Sequence, residues 1–185
     1  RDGNDYIAID AGIKPGNIRG ELKKLDIDPD RVRAVFLTHS DADHAGGISM
    51  FKRATVYMHR NEEQMINGET GRMLWIGNSI DIKEYTLLDD HTVRIGDMRI
   101  KPIPTPGHTA GLTCYLVNDI YLFTGDAVSL HDGVIGLFPK YINKYPRKAR
   151  RSVQNILNLE GVMYIFTGNH GFSANYSSAV RGYRE

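Results

Sequence analysis

A single cysteine, Cys114, stands in 185 residues, so no disulfide can form within the chain. A reducing compartment, the cytoplasm, is the expectation that follows. No apolar run approaches the roughly 20 residues that span a bilayer, and no signal peptide is visible, so no membrane partner is expected. An excess of charge of either sign is also missing. The 23 basic and 22 acidic side chains leave a net charge of +1, which gives no reason to expect nucleic acid or another polyanion. Repeats, low-complexity stretches and clear linkers are absent, so residues 1–185 read as one domain with a sizeable core. The chain opens on "RDGNDYIAID", a turn that runs straight into a strand, so its natural N-terminus is expected to lie further upstream.

What is present is a succession of strand and helix patterns. "YIAIDAG" (6–12) reads as a buried strand ending in a turn. In "NIRGELKKLDID", Ile18, Leu22 and Leu25 fall at helical spacing, with Asn17 as the expected cap. "RVRAVFLTH" and "ATVYMH" read as strands, "AGGISMFKR" as a short helix, and "NEEQMIN" as a helix capped by Asn61. Two stretches alternate around turn signals: "HTVRIGDMRIKPIPT" around Gly96–Asp97 and "GLTCYLVNDIYLFTGD" around Asn118–Asp119, each a hairpin. "RKARRSVQNILNL" puts Val153, Ile156 and Leu157 on one helical face, and "VMYIFTGNHG" is a late strand. This order excludes a simple doubly wound parallel sheet and favours sheets with helices on their outer faces.

The chemistry concentrates at the ends of these strands. "LTHSDADHAGG" (37–47) puts His39, Asp41, Asp43 and His44 on one short turn, followed by glycines. His108 in "PTPGHTAG", Asp126 in "FTGDA" and His170 in "TGNHG" sit the same way, beside small residues where a strand ends. Imidazole and carboxylate are the common nitrogen and oxygen ligands of zinc and iron. The carboxylates of Asp41, Asp43 and Asp126 would repel one another unless cations neutralised them, and two divalent ions would do so. The plain alternative for any one histidine is a surface or satisfied core residue, and His59, His91 and His131 are read that way. For the four motif histidines it would require several motifs to be accidental together.

"THSDADHAGG" resembles the T-H-x-H-x-D-H-x-G-G signature of the metallo-β-lactamase superfamily, and the three later motifs resemble that family's remaining ligand motifs in the right order. "AIDAG" is similar to its early D-x-G turn. The resemblance runs over nearly the whole chain. It implies an α+β fold, a four-layer αββα sandwich with two metals at one edge between the sheets, here without most of the first strands. It also implies that His39 and His108 bind the first metal, that Asp43, His44 and His170 bind the second, and that Asp126 bridges. The family's usual second histidine is replaced by Asp41, a harder ligand that favours iron or manganese beside the zinc otherwise expected. Flavodiiron proteins, which the motif also resembles, carry a glutamate there and bind iron.

The function implied is metal-dependent hydrolysis, in which a hydroxide held between two metals attacks an ester, thioester, lactone or related bond. Asp43 orients it and shuttles its proton. "PGHTAG" and "FTGDA" look most similar to the glyoxalase II and lactonase-like branch. The partner is a small-molecule substrate; a homodimer is left open. "KYINKYPRKARR" (140–151) is basic with interleaved tyrosines. It reads as a solvated loop and helix start or, with Lys140, Tyr141, Lys144 and Tyr145, as a pocket edge for an anionic substrate. Met73, Leu74 and Trp75 read either as a lid or as core, and Cys114 as buried packing between Leu112 and Leu116. Two rivals remain: an iron-dependent redox enzyme on the same fold, raised by Asp41, and a metal-binding protein without catalysis.

Overall fold

The computed structural model describes residues 1, 3, 5–71 and 84–183, so Met73, Leu74 and Trp75 lie outside the described residues. Two sheets carry the structure. The first contains β1 (Tyr6–Ile9), β2 (Val32–Leu37), β3 (Thr55–His59) and β4 (Thr86–Leu88), in that order and all parallel. Its connections include α1 (Pro15–Lys24), α2 (Ala42–Ala45) and α3 (Glu63–Ile66). The second contains β5 (Val93–Ile95), β6 (Met98–Pro104), β7 (Thr113–Val117), β8 (Tyr121–Phe123), β11 (Tyr164–Phe166) and β12 (Phe172–Ser173) in the order β12-β11-β8-β7-β6-β5. A separate hairpin pairs β9 (Ser129–His131) with β10 (Val134–Gly136). Helices α4 (Pro146–Leu157) and α5 (Tyr176–Arg181) complete the fold.

Period-two alternation explains the layers. Successive side chains of a strand point to opposite faces, and β2 is buried on both. Ala34 and Phe36 point between the sheets, where they meet Ile100, Tyr115 and Val117 of the second sheet. Val35 and Leu37 point outward to a second cluster that takes in Ile18 and Leu22 of α1. On the other sheet, Cys114 and Leu116 point outward to a third cluster with Val153 and Ile156 of α4 and Ala179 of α5. Three apolar seams between helix, sheet, sheet and helix make the αββα sandwich of the expected α+β class. The inner seam is closed by Phe36, stacked on Tyr57 at 4.8 Å between ring centroids. Phe36→Ala would cost ~3–5 kcal/mol, because the surrounding side chains could not fill the space.

Several local expectations change. β1 is only half-buried, because it takes the edge of its sheet rather than the centre. α1 begins at Pro15 with Lys14 as its cap residue, so Asn17 lies inside the helix and caps nothing; a proline at the first helical position is pre-set in φ and needs no donor. Asn61 is not a cap either. The His59 ring accepts the Asn61 N–H at 3.2 Å and starts a turn that precedes α3. His59 is buried, as a satisfied core histidine should be.

Strand direction places the functional end. All four parallel strands of the first sheet run toward one edge, and β6, β8 and β11 run the same way in the second. Asp10 follows β1, His39 follows β2, His108 follows β6, and Asp126 follows β8. The carboxyl ends of parallel strands are where open α/β sheets leave a crevice. The two edges are pinned there by Thr113 N–H donating to Thr38 O at 3.0 Å and Tyr115 O–H donating to Leu37 O at 2.8 Å.

Candidate metal centre

Two groups of donors converge at this edge. His39, His108 and Asp126 form one; Asp43, His44 and Asp126 form the other; the ligand atoms of each lie within 4.8 Å of one another. Asp126 belongs to both. Its Oδ2 stands 3.4 Å from His108 Nε2 and its Oδ1 3.3 Å from His44 Nε2, one carboxylate oxygen toward each group. Asp41 addresses the first group, with Oδ2 3.3 Å from His108 Nε2 and 3.6 Å from His39 Nε2. Asp43 Oδ2 is 3.6 Å from His44 Nε2 at the more exposed rim. With metal–ligand bonds of ~2.0–2.1 Å, two ligands of one tetrahedral ion stand roughly 3.3 Å apart, the spacing found here.

The donor set fits metal on a second, independent ground. The Nε2 atoms of His39 and His44 are buried and have no hydrogen-bond partner. A buried polar atom without a partner is costly and calls for one. Both nitrogens are presented deliberately. Asp10 Oδ2 accepts from His44 Nδ1 at 2.7 Å and from the Thr38 hydroxyl at 2.8 Å, and that hydroxyl accepts from His39 Nδ1 at 3.0 Å. With Nδ1 protonated in both rings, the Nε2 lone pairs face the cluster, the second-sphere arrangement that orients metal-bound imidazoles. Asp10 holds a positive φ of 62° to do this, and its Oδ1 also accepts the Thr38 N–H at 2.7 Å. Strain of that kind persists where the surroundings over-determine it.

Electrostatics point the same way. Burial opposes a charged ring at His44, but the carboxylates of Asp10 and Asp126 outweigh it and push its pKa up to about 11. Burial would raise Asp126, yet His44, His39 and His108 together hold it below the ordinary carboxylate value. Such a pocket stabilises positive charge, whether a proton or a metal ion. Gly168 keeps the second group open: a Cβ there would come within 2.5 Å of both Asp126 Oδ1 and His44 Cε1. Gly47 lets the turn after His44 close on the first strand, since a Cβ would lie 2.0 Å from Ala11 O.

The remaining expectations fall unevenly. His170 is exposed and stands outside both groups, with its ring 5.2 Å from His131 and 5.4 Å from Phe138. Its neighbour Asn169 occupies the approach to Asp126, with Nδ2 3.1 Å and 3.2 Å from the two carboxylate oxygens. Lys140, Lys144 and Tyr145 line one open groove, while Tyr141 is 88% exposed and not part of its wall. Cys114 is fully buried and its thiol is pushed up to about 12 by that burial, as packing rather than chemistry requires. Thr38, Asp10 and Asn169 all lay inside quoted motifs without a role. Glu62 had no signal at all. It is buried and accepts from Ser40 N and Oγ, Thr109 Oγ1 and Gly111 N at 2.6–2.9 Å, tying the His39 turn to the His108 turn.

Comparison with known proteins shows the family and the fold. Residues 1–168 match the family model of the metallo-beta-lactamase superfamily. The chain is 33% identical over 131 residues to BaeB of Bacillus velezensis, a probable polyketide biosynthesis zinc-dependent hydrolase, covering 69% of this chain and 52% of that one. It is 30% identical over 126 residues to a hydroxyacylglutathione hydrolase of Buchnera aphidicola, covering 67% and 43%. The chain thus spans about half the length of these relatives. Its fold matches TTHA1623, solved in a di-iron-bound form, with a TM-score of 0.71 at 18% identity, covering 98% of this chain and 89% of that one.

Proposed function

The chain belongs to the metallo-β-lactamase superfamily, and from that premise we propose that it is a metal-dependent hydrolase of an ester, thioester, lactone or related bond. The single observation that carries the reading is the pair of donor groups sharing Asp126, with two buried, unpartnered imidazole nitrogens aimed into them. His39, Asp41, His108 and Asp126 would hold one divalent ion. Asp43, His44 and Asp126 would hold the other, with His170 as its further ligand. Zinc is the first expectation, iron and manganese the alternatives. When bound, such ions polarise a substrate oxygen and make hydroxide available from water near neutral pH.

The chain's own groups supply the rest. Asp10 and Thr38 hold His44 and His39 in the tautomer that leaves Nε2 free for a cation. Asp126 bears negative charge between the two groups. Asp43, at the rim with its side chain 46% exposed, would take the proton from the attacking water and pass it to the leaving group. The names of the relatives, a polyketide biosynthesis hydrolase and a hydroxyacylglutathione hydrolase, support an acyl substrate. The test is elemental analysis of protein purified without chelator, followed by a panel of thioesters and lactones. About two ions per chain and turnover lost on chelation are expected. No metal after challenge with zinc and iron would overturn the reading.

A second reading has one specific observation behind it. The Asp41 carboxylate points at His108 and His39, where it adds a hard oxygen donor that suits iron. Two irons per chain, with oxygen or peroxide reduced and no ester cleaved, would favour a redox enzyme instead.

A further inference from the structure

The start of α4 carries charge that the metal centre does not use. An open groove of about 650 Å³ is lined by Lys140, Lys144, Tyr145, Arg147, Lys148 and Arg150, with no acidic side chain on its wall among the described residues. Lys140, Arg147, Lys148 and Arg150 have no carboxylate partner among the described residues. Lys144 Nζ donates to Gly71 O, and Lys148 Nζ lies 4.8 Å over the Tyr145 ring. The chain as a whole is nearly neutral at +1, yet no described acidic side chain lines this groove.

The placement also runs against local stability. Helix α4 has Tyr145 as its cap residue without a side-chain cap and no acidic residue in its first turn, while Arg147 and Lys148 sit there. The amino end of a helix already carries the positive end of its dipole, so cations are unfavourable and anions favourable at that position. An arrangement that is wrong for the free helix becomes right when an anion lies in the groove.

The groove is joined rigidly to the metal centre. Lys144 N–H donates to His108 O at 3.1 Å and Tyr145 N–H to Gly107 O at 2.8 Å. Gly107 lies so close that a Cβ there would fall 2.3 Å from the Cα of Ala149 in α4. The wall of the groove and the turn bearing His108 are therefore one packed unit.

We propose that this groove binds the phosphate or pyrophosphate group of a small-molecule substrate, leaving its acyl end to the metal centre. Guanidinium groups such as those of Arg147 and Arg150 match phosphate oxygens in pairs, and lysines add point charge. The size is that of small-molecule sites, ~300–1,000 Å³. A nucleic-acid track would instead need a longer run of cations with several stacking aromatics. The acyl part of this assignment rests on the hydrolase reading; the phosphate part does not.

The test is calorimetric binding of ADP, as a pyrophosphate probe, to the full chain as purified. ADP should bind at least about tenfold more tightly than adenosine, and 0.5 M NaCl should weaken it. Arg147→Ala/Arg150→Ala should weaken ADP about tenfold or more, and Lys140→Ala/Lys148→Ala should act in the same direction. All four side chains are exposed, so both variants should fold. ADP binding equal to that of adenosine, or unchanged in both variants, would overturn the assignment, the second by showing that ADP merely coordinates metal. A 12-mer oligonucleotide that outcompetes ADP, with affinity rising with length, would overturn it in favour of nucleic acid. Because binding is read without turnover, a chain that hydrolyses nothing yet binds ADP through these residues would sink only the hydrolase reading.

Discussion

Two turns deliver side chains to the same carboxylate, and they are held in opposite ways. The turn after β2 carries His39 and His44, both buried, each ring fixed at Nδ1 through Asp10 or Thr38. The turn after β11 carries Asn169 and His170, both exposed, and is closed mainly by the Thr167 side chain and Gly171 O. The first is built before any ligand arrives, because its orientation is determined by groups that touch no substrate. The second can change at little cost. The difference separates a preorganised part of the centre from an adjustable one.

Removing the residue that both turns address should have the largest effect. Asp126→Ala deletes the carboxylate common to both donor groups. Metal content measured after gel filtration should fall from about two ions to fewer than one, since each ion loses a ligand and the charge that balances it. Retention of both ions would remove the basis for a shared centre.

How much of this was legible in sequence follows from reach along the chain. The hairpins around Gly96–Asp97 and Asn118–Asp119 were visible, because a turn of two or three residues writes its signal between adjacent alternating strands. The β9–β10 hairpin carries the same kind of signal, Asp132–Gly133 with φ of 50° and 77°, in strands of only three residues, too short to show alternation. The His39–His44 motif was visible because its residues are neighbours. Glu62 was not, since its partners lie 22, 47 and 49 residues away and nothing local distinguishes it from a surface glutamate. The helix caps failed where Pro15 started α1 with no side-chain cap and where the His59 ring took the place expected of Asn61. His170 was named by its motif, but a motif does not tell how firmly a turn is held.

Glu62 is therefore the sharper test of preorganisation. Glu62→Gln keeps the shape but turns an amide NH₂ toward groups that themselves donate. A buried charged hydrogen-bond network broken at its acceptor costs about 3 kcal/mol, or a fall in Tm of roughly 10 °C for a chain of this size. Urea denaturation of the chelated protein would measure it without interference from metal. A loss under about 1 kcal/mol would mean that the His39 and His108 turns do not depend on each other.

Asp10 supports the His44 ring directly and the His39 ring through Thr38. Asp10→Asn would leave His44 and Thr38 with a weaker partner and free the imidazole to choose the other tautomer. Outer-sphere changes of this kind cost ~10–100-fold in metal affinity, and that is the shift expected in a competitive titration with a chromogenic chelator. The same titration on His39→Ala, which removes a donor outright, should show a greater loss. Equal losses would mean that Asp10 acts through the fold and not through the ring.

The smallest effect belongs to the exposed turn. The Asn169 amide donates to both oxygens of Asp126, the same oxygens that face the two donor groups. A cation and this amide therefore compete for one acceptor. Asn169→Ala should destabilise the chelated protein by less than ~1 kcal/mol, since the turn is solvated and water replaces the lost donor. The loaded protein should lose less still, because its Asp126 is already engaged. The gap in Tm between loaded and chelated protein should widen by roughly 1–3 °C. If His170 is the second site's further ligand, the freed approach to Asp126 also removes what the imidazole would have to displace. An unchanged gap would mean that Asn169 and metal occupy Asp126 together, and that this turn is as fixed as the one after β2.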